Sequence, residues 1–334
     1  MAAIVGPTAT GKSRVAVEVA DHLDAEIVSA DAFQVYRGLD IGTAKVAEEE
    51  KVAASGRYIR HHLMDIIEPD ADFSVAAYQQ AALAAFADIR SRGRLPLLVG
   101  GSGLYVNAAL GRYCFPPQTR DDRVRRELLA EAEARGLAHL YRELAQADPV
   151  AAAKIHPHDQ KRIIRGLEVY RLTSRPPSSF WGRPEAQPAG PGSSGARQST
   201  CSQTELPVRV AMVGLTWPRP RLYAAIEARV EDMLARGLVA EVQGLLAKGY
   251  PVEANAFQAL GYKQVTGFLQ GRYDFREMVR LIKRDTRRYA KRQLTWFRRD
   301  GRVQWLDVSR FDSQAELAAE ITAIVSRTLA GNVE

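Results

Sequence analysis

Cysteine is almost missing from this sequence: Cys114 and Cys201 are the only two among 334 residues. Two thiols so far apart make neither a disulfide framework nor a zinc site, so a reducing compartment is expected. Long apolar runs are missing too, and no stretch approaches the ~20 residues that a membrane-spanning helix needs. A glycine-rich loop already begins at Gly6, which leaves no room ahead of it for a signal peptide. These absences together lead us to expect a soluble, cytoplasmic protein without membrane association. No internal repeat is visible, which excludes solenoids and propellers. Acidic residues are in the minority: 46 Lys+Arg face 39 Asp+Glu, a formal charge of +7 that mildly favours a polyanionic partner.

What is present starts with "GPTATGKS", comprising Gly6, Pro7, Thr8, Ala9, Thr10, Gly11, Lys12 and Ser13. The pattern G-x-x-x-x-G-K-S follows the apolar run Ala2 to Val5 and precedes a helix-like stretch, the context that makes it a phosphate loop. Its glycines let successive N–H groups point inward, and the following helix adds its positive end. Lys12 contributes a point charge, and Ser13 offers a hydroxyl to Mg²⁺. Nothing in this pattern demands ATP; a diphosphate is the minimal ligand.

Further along, "AEIVSAD" reads as a second strand and "RLPLLVGG" as a third, the latter following a helical stretch from Ser74 to Arg92. Alternating strands and helices predict an α/β fold, a parallel sheet flanked by helices in the manner of phosphate-loop NTPases. From about Arg120 to Thr173 the pattern turns helical, which predicts an inserted all-helical subdomain. The expected division is a first core part over 1–115, the helical insertion over 116–181, a flexible Pro/Gly/Ser-rich loop over 182–207, and the rest of the core over 208–334. In that last part "VRVAMVGLTW" resumes a buried strand, and helices fill the remainder.

The second strand ends in Asp31, where open α/β sheets place their ligands, so this carboxylate is a candidate base or metal neighbour; capping a turn is the plainer alternative. The third strand lacks the Asp that a nucleotide hydrolase would place there and ends instead in Gly100, Gly101, Ser102 and Gly103. These glycines are expected to admit a ligand close to the backbone. Late in the chain, Arg280, Arg284, Arg287, Arg288 and Lys291 recur at helical spacing, followed by Arg292, Arg298 and Arg299, with Tyr289, Trp296 and Phe297 interleaved. Such a face suits a phosphate backbone, although a solvated face is the commoner reason for one. Trp296 fits a core position better than a base-stacking platform. Lys161, Arg162 and Arg165 form a second basic cluster on the helical insertion, so the ligand is expected to exceed a nucleotide in size.

With these pieces assembled, the chain resembles the tRNA dimethylallyltransferases, also called tRNA isopentenyltransferases. The resemblance is carried by "GPTATGKS", "DAFQVYRGLDIGTAK", "HHLMDIIEP", "LLVGGSGLYV", "DPVAAAKIHPHDQKRIIRGLEVY", "IEARVEDML", "ALGYKQV" and "KRQLTWFRR", in family order from residue 4 to 307. It implies transfer of a dimethylallyl group from its diphosphate to N6 of the adenosine 3′ to the anticodon, position 37, with Mg²⁺ as cofactor. By that resemblance Asp31 is the base, while Lys12, Ser13 and Arg229 contact diphosphate. Ser102, Arg125 and the stretches Asp31, Ala32, Phe33, Gln34; Lys161, Arg162, Ile163, Ile164, Arg165; and Gln258, Ala259, Leu260, Gly261, Tyr262, Lys263 approach the tRNA anticodon stem-loop. The chain departs from the family pattern at Ser102, where Thr is usual, at Ala32, where Ser is common, and at Gln258, where a basic residue is frequent. A monomer is expected. Two rival readings remain open at this point. One is a kinase or prenyltransferase acting on free adenine nucleotides; the other is a non-catalytic RNA-binding protein with a vestigial loop.

Overall fold

A computed structural model describes residues 1–111, 113, 115, 121–181 and 209–331. Cys114, Cys201 and the segment 182–207 lie outside the described residues. The chain divides into two compact units, Met1–Ala109 with Pro207–Glu334, and Leu110–Leu206.

The first unit is organised around a six-stranded sheet formed by β1 (Ala2–Val5), β2 (Ala25–Ser29), β3 (His61–His62), β4 (Leu95–Gly100), β5 (Ala211–Thr216) and β6 (Val303–Asp307). The order is β3-β2-β4-β1-β5-β6 and every pairing is parallel. The apolar runs AAIV and AMVGL are buried because helices cover both faces of the sheet. Central β1 pairs with β4 on one side and β5 on the other, neither of them its neighbour in sequence. The crossovers therefore diverge there, and the crevice at the carboxyl ends of β1 and β4 is the place where such sheets bind ligands. Sequence periodicity missed β3 and β6: the first has two residues, and the second, VQWLD, is too short and polar to show a period.

Helices α1 (Lys12–His22), α2 (Val75–Ser91) and α3 (Gly103–Ala109) belong to the first unit. The second unit supplies α4 (Asp122–Arg135), α5 (Leu137–Ala147), α6 (Pro149–Ala152) and α7 (Gln160–Thr173). The first unit then resumes with α8 (Arg219–Ala235), α9 (Leu238–Ala247), α10 (Tyr262–Leu269), α11 (Phe275–Phe297) and α12 (Gln314–Ala330). Side-chain caps start several of them: Ser74 for α2, Asp121 for α4, Asp159 for α7, Asp274 for α11 and Ser313 for α12 each accept a first-turn N–H. One core joins Ile4, Ile27, Leu97 and Val213 of the sheet to Val15 of α1 and Ile321 of α12. Another gathers Val242, Phe257, Tyr262 and Ile282 around α9, α10 and α11. The helical unit has its own core, with Leu128, Leu140, Leu144, Ile163 and Leu167 fully buried.

Candidate active site

The phosphate loop is shaped by two glycines with different tasks. At Gly6, φ is +140° and a Cβ would sit 2.4 Å from the Leu215 carbonyl oxygen, so β5 excludes any side chain. At Gly11, φ is +79° with open space around the missing Cβ, so the backbone angle alone selects glycine. Inside the loop, Thr10 Oγ1 donates to the Pro7 carbonyl at 2.9 Å and Lys12 Nζ donates to the same oxygen at 2.6 Å. Burial, and then the repulsion of Arg229, lower the Lys12 pKa to about 7 against the opposing attraction of Asp31. An arriving anion would restore its charge.

Thr8, Ala9, Lys12, Ser13, Asp31 and Arg229 all line one cleft of about 270 Å³. Asp31 enters from the end of β2. Its Oδ1 accepts the Phe33 N–H at 2.9 Å, so the turn-capping reading is realised without removing the residue from the cleft. Desolvation raises the Asp31 pKa, only partly offset by the N–H groups of Phe33 and Gln34 and by the charges of Arg229 and Lys12. Arg229, from α8, is shifted down by burial while the charge of Asp31 pulls it up. Ser102 follows β4 and accepts the Ala32 N–H at 3.2 Å, which fastens it to the residue beside Asp31.

Gly100 and Gly101 line the cleft, and at Gly100, Gly101 and Gly103 the neighbouring protein leaves no room for a side chain. A Cβ would lie 2.2 Å from Ala30 O at Gly100, 2.1 Å from Gln293 Nε2 at Gly101, and 2.2 Å from the Trp296 ring at Gly103. Trp296 corrects an expectation: it is 40 % exposed, packed on Gly103 and not in the core.

The stretch "DIGTAK" is a clamp. Lys45, 8 % exposed, donates to Tyr36 O and Asp40 Oδ1, each at 2.7 Å, and to Asp65. From α9, the Glu241 carboxylate accepts the N–H groups of Asp40 at 3.1 Å, Ile41 at 2.8 Å and Gly42 at 3.4 Å, as well as the Tyr262 hydroxyl. Burial and the charge of Glu241 push the Tyr262 phenol far up. Gln34, whose amide oxygen accepts Ser29 Oγ at 2.8 Å, closes the loop onto β2 and lines the cleft.

Several residues expected to touch RNA face inward. Ile163 and Ile164 are buried in the helical unit, and Ala259, Gly261 and Tyr262 are buried beside α9 and α10, so these five support neighbours that are exposed. Ala32, Phe33 and Leu260 are half-buried, whereas Lys161, Arg162, Arg165, Gln258 and Lys263 reach solvent. Arg125 lies 3.8 Å from buried Glu168, which Arg165 also contacts at 2.8 Å. On α11 much of the basic face is already neutralised: Arg280 pairs with Glu277, Arg284 with Asp285 at 2.8 Å and Arg287 with Glu227 at 2.8 Å. Lys291, Arg292, Arg298 and Arg299 are exposed, and among the described residues they make no ion pair. One cluster among the described residues has the spacing of a metal site, Glu131 with His139 and Glu143, but it is occupied by Arg171, which donates to both carboxylates at 2.8 and 2.9 Å. Among the described residues no helix is long and apolar enough to cross a membrane.

Gln293 and Tyr289 of α11 also line the cleft; the stretch "KRQLTWFRR" contains Gln293 but gives it no place there. Their signal is faint: two polar side chains on the buried stripe of a helix otherwise read for its cations.

A protein-family model described as IPP transferase matches residues 34–300. The tRNA dimethylallyltransferase of Moorella thermoacetica is 48 % identical, the match covering 100 % of this chain and 97 % of that one. That of Heliobacterium modesticaldum is 45 % identical over 99 % and 96 %. Among solved structures, the tRNA isopentenylpyrophosphate transferase of Bacillus halodurans superposes with a TM-score of 0.67 at 38 % identity, covering 98 % and 97 %. A eukaryotic dimethylallyltransferase acting on tRNA gives 0.73 at 25 %, covering 96 % of this chain and 77 % of that one. A six-stranded parallel sheet with a phosphate loop at its divergence point, and relatives matched along nearly their whole length, agree: this chain belongs to the IPP transferase family.

Proposed function

We propose that the protein transfers a dimethylallyl group from dimethylallyl diphosphate to N6 of the adenosine at position 37 of tRNA, 3′ to the anticodon, releasing diphosphate. The observation that carries this reading is the meeting of Lys12, Arg229 and Asp31 in one cleft: cations for a leaving diphosphate and a desolvated carboxylate for an amine proton. Family membership supports the reaction type.

In this reading the allylic C1–O bond breaks and its electron pair leaves with the diphosphate. The inward N–H groups of the loop, Lys12 and Arg229 stabilise that growing charge. N6 attacks C1, and Asp31 takes the amine proton; its raised pKa makes it a stronger base than an ordinary carboxylate, and its N–H partners fix its orientation. Ser102, fastened to Ala32, helps to orient the adenine. Among the cationic and amide groups that line the cleft, the hydroxyls of Thr8, Ser13 and Thr43 and the carboxylates of Asp31 and Glu50 are oxygen donors that suit a hard cation, and Ser13 would hold Mg²⁺ together with the diphosphate. When bound, magnesium supplies additional neutralisation of the leaving group. The target base must leave the stack of the anticodon loop, at a cost of a few kcal/mol that contacts to the RNA backbone offset. Those contacts fall to Lys161 and Arg162 of the helical unit and to the exposed cations of α11. The enzyme works as a cytoplasmic monomer.

Labelled dimethylallyl diphosphate offered with bulk tRNA or with AMP tests the reading. Label is expected in tRNA, at the nucleotide 3′ to the anticodon after nuclease digestion. Label in AMP would favour an enzyme of free nucleotides, and none in either would favour a binding protein.

A further inference from the structure

We infer that Gln293 is a positioning residue for prenyl transfer, setting the spacing between the diphosphate cradle and the amine end of the cleft. The inference rests on the reading of that cleft given above. The ladder between β1 and β4 stops at Val5 and Gly100. Past that point the Gln293 side chain joins the two loops: its oxygen accepts the Thr8 N–H at 2.9 Å, and its nitrogen donates to the Gly101 carbonyl at 2.9 Å. Only 5 % of the residue is exposed, and Gly101 makes room for it, since a Cβ there would lie 2.1 Å from Nε2.

Two neighbours on the same helix face extend this arrangement. Tyr289, one turn earlier, lines the cleft beside Gln293, and Trp296 lies against Gly103. Positions 289, 293 and 296 follow the i, i+4, i+7 spacing of one helical stripe. A rigid helix, and not the loops themselves, therefore holds the Thr8 side of the cleft against the Ser102 side. The first holds the leaving group and the second lies beside Asp31. Because the amide is committed to two backbone groups, Gln293 acts through the loops.

Displacing reacting groups by about 1 Å costs about 100-fold in rate. Gln293→Met keeps the length and apolar bulk but removes both hydrogen bonds. Single-turnover transfer with both substrates saturating is expected to fall by about 100-fold, while the dissociation constants for inorganic diphosphate and tRNA stay within about threefold. Gln293→Glu gives a second, independent readout. Its protonated acid can donate to Gly101 O and accept from Thr8 N–H, whereas its carboxylate sets two acceptors against that carbonyl. Burial raises its pKa, so the variant should regain rate from about pH 8 down to about pH 6 relative to the wild type, whose profile over that range carries the titration of Lys12 and Asp31, with Arg229 and Tyr289 also facing the cleft but not titrating there. Wild-type turnover in the Met variant would overturn the inference. So would a loss confined to diphosphate affinity, or a Glu profile parallel to the wild type. If the Met variant does not fold, the Glu profile decides. Failure of the wild type itself to label tRNA would instead sink the functional reading, a result that comes from the wild type alone and not from either variant.

Discussion

At the scale of single residues, the cleft combines groups whose ordinary behaviour is altered by desolvation. Burial drives Asp31 up and Lys12 down, so each charged form is held at a cost, and an incoming diphosphate relieves that of Lys12. Asp31→Asn keeps the size and an acceptor for the Phe33 N–H while removing the proton acceptor. Single-turnover transfer is expected to fall about 10²- to 10⁴-fold with both substrate affinities little changed. A rate equal to wild type would leave the proton to water or to the diphosphate. Lys12→Ala should lose prenyl transfer and diphosphate binding while keeping tRNA affinity, measured by filter binding; retained turnover would dismiss the cradle. Both residues were legible in the sequence because their chemistry is local, a fixed spacing after a strand. Gln293 was not, since its partners lie 285 and 192 positions away in the chain. The inward turn of Ile163, Ile164 and Tyr262 was equally hidden: a motif names a stretch, and only packing says which of its side chains look out.

At the scale of elements, α11 has two faces with different tasks, one gripping the loops and one carrying cations. Arg284 and Arg288 looked from the sequence like RNA contacts, yet both share Asp285, at 2.8 and 3.7 Å. The exposed Lys291 and Arg292 are the better test. Reversing both to Glu should weaken tRNA binding and flatten its log–log salt dependence by about one unit per lost phosphate contact. An unchanged slope would make the face merely solvated. Strand β2 carries a different kind of charge. Glu26 is 1 % exposed and accepts from Arg92 at 2.7 Å, from Arg94 at 3.1 Å and from a His62 ring nitrogen 2.7 Å away. Burial would raise its pKa, but the Arg92 and His62 hydrogen bonds outweigh it and hold the group at about 2, down from 4.5. Because the folded value is the lower one, this stabilisation is present above pH 4.5 and is lost as pH falls toward 2. Glu26→Gln should cost about 3 kcal/mol in urea unfolding near neutral pH, and less than half of that at about pH 3. An equal cost at both values would show that shape, not charge, is what β2 needs there.

At the scale of the whole molecule, basic surface occurs in both compact units: Lys161 and Arg162 at the start of α7, and Lys291, Arg292, Arg298 and Arg299 around the end of α11. If one RNA engages both, Lys161→Glu and Lys291→Glu should each weaken binding, and their effects should add within about 0.5 kcal/mol in the double variant, the sites sharing no partner. Loss from only one of them would confine the RNA to a single unit. The broad architecture was readable because alternating strands and helices, then a purely helical run, follow from periodicity alone. The sheet order was not, for pairing across a crossover leaves no local trace.

That order also bears on how the chain is made. Ala2 pairs with Ala211, so the central strand of the sheet finds one of its two neighbours only after the entire helical unit has been synthesised. At ribosomal speeds of about 5–20 residues per second, β1 waits roughly 10 to 40 s with one hydrogen-bonding edge open. During that interval the nascent chain presents a bare apolar strand that invites mispairing, and the helical unit can meanwhile complete a core of its own. Birth order thus makes the phosphate loop, translated ahead of the other strands, among the last parts of the protein to acquire a settled floor.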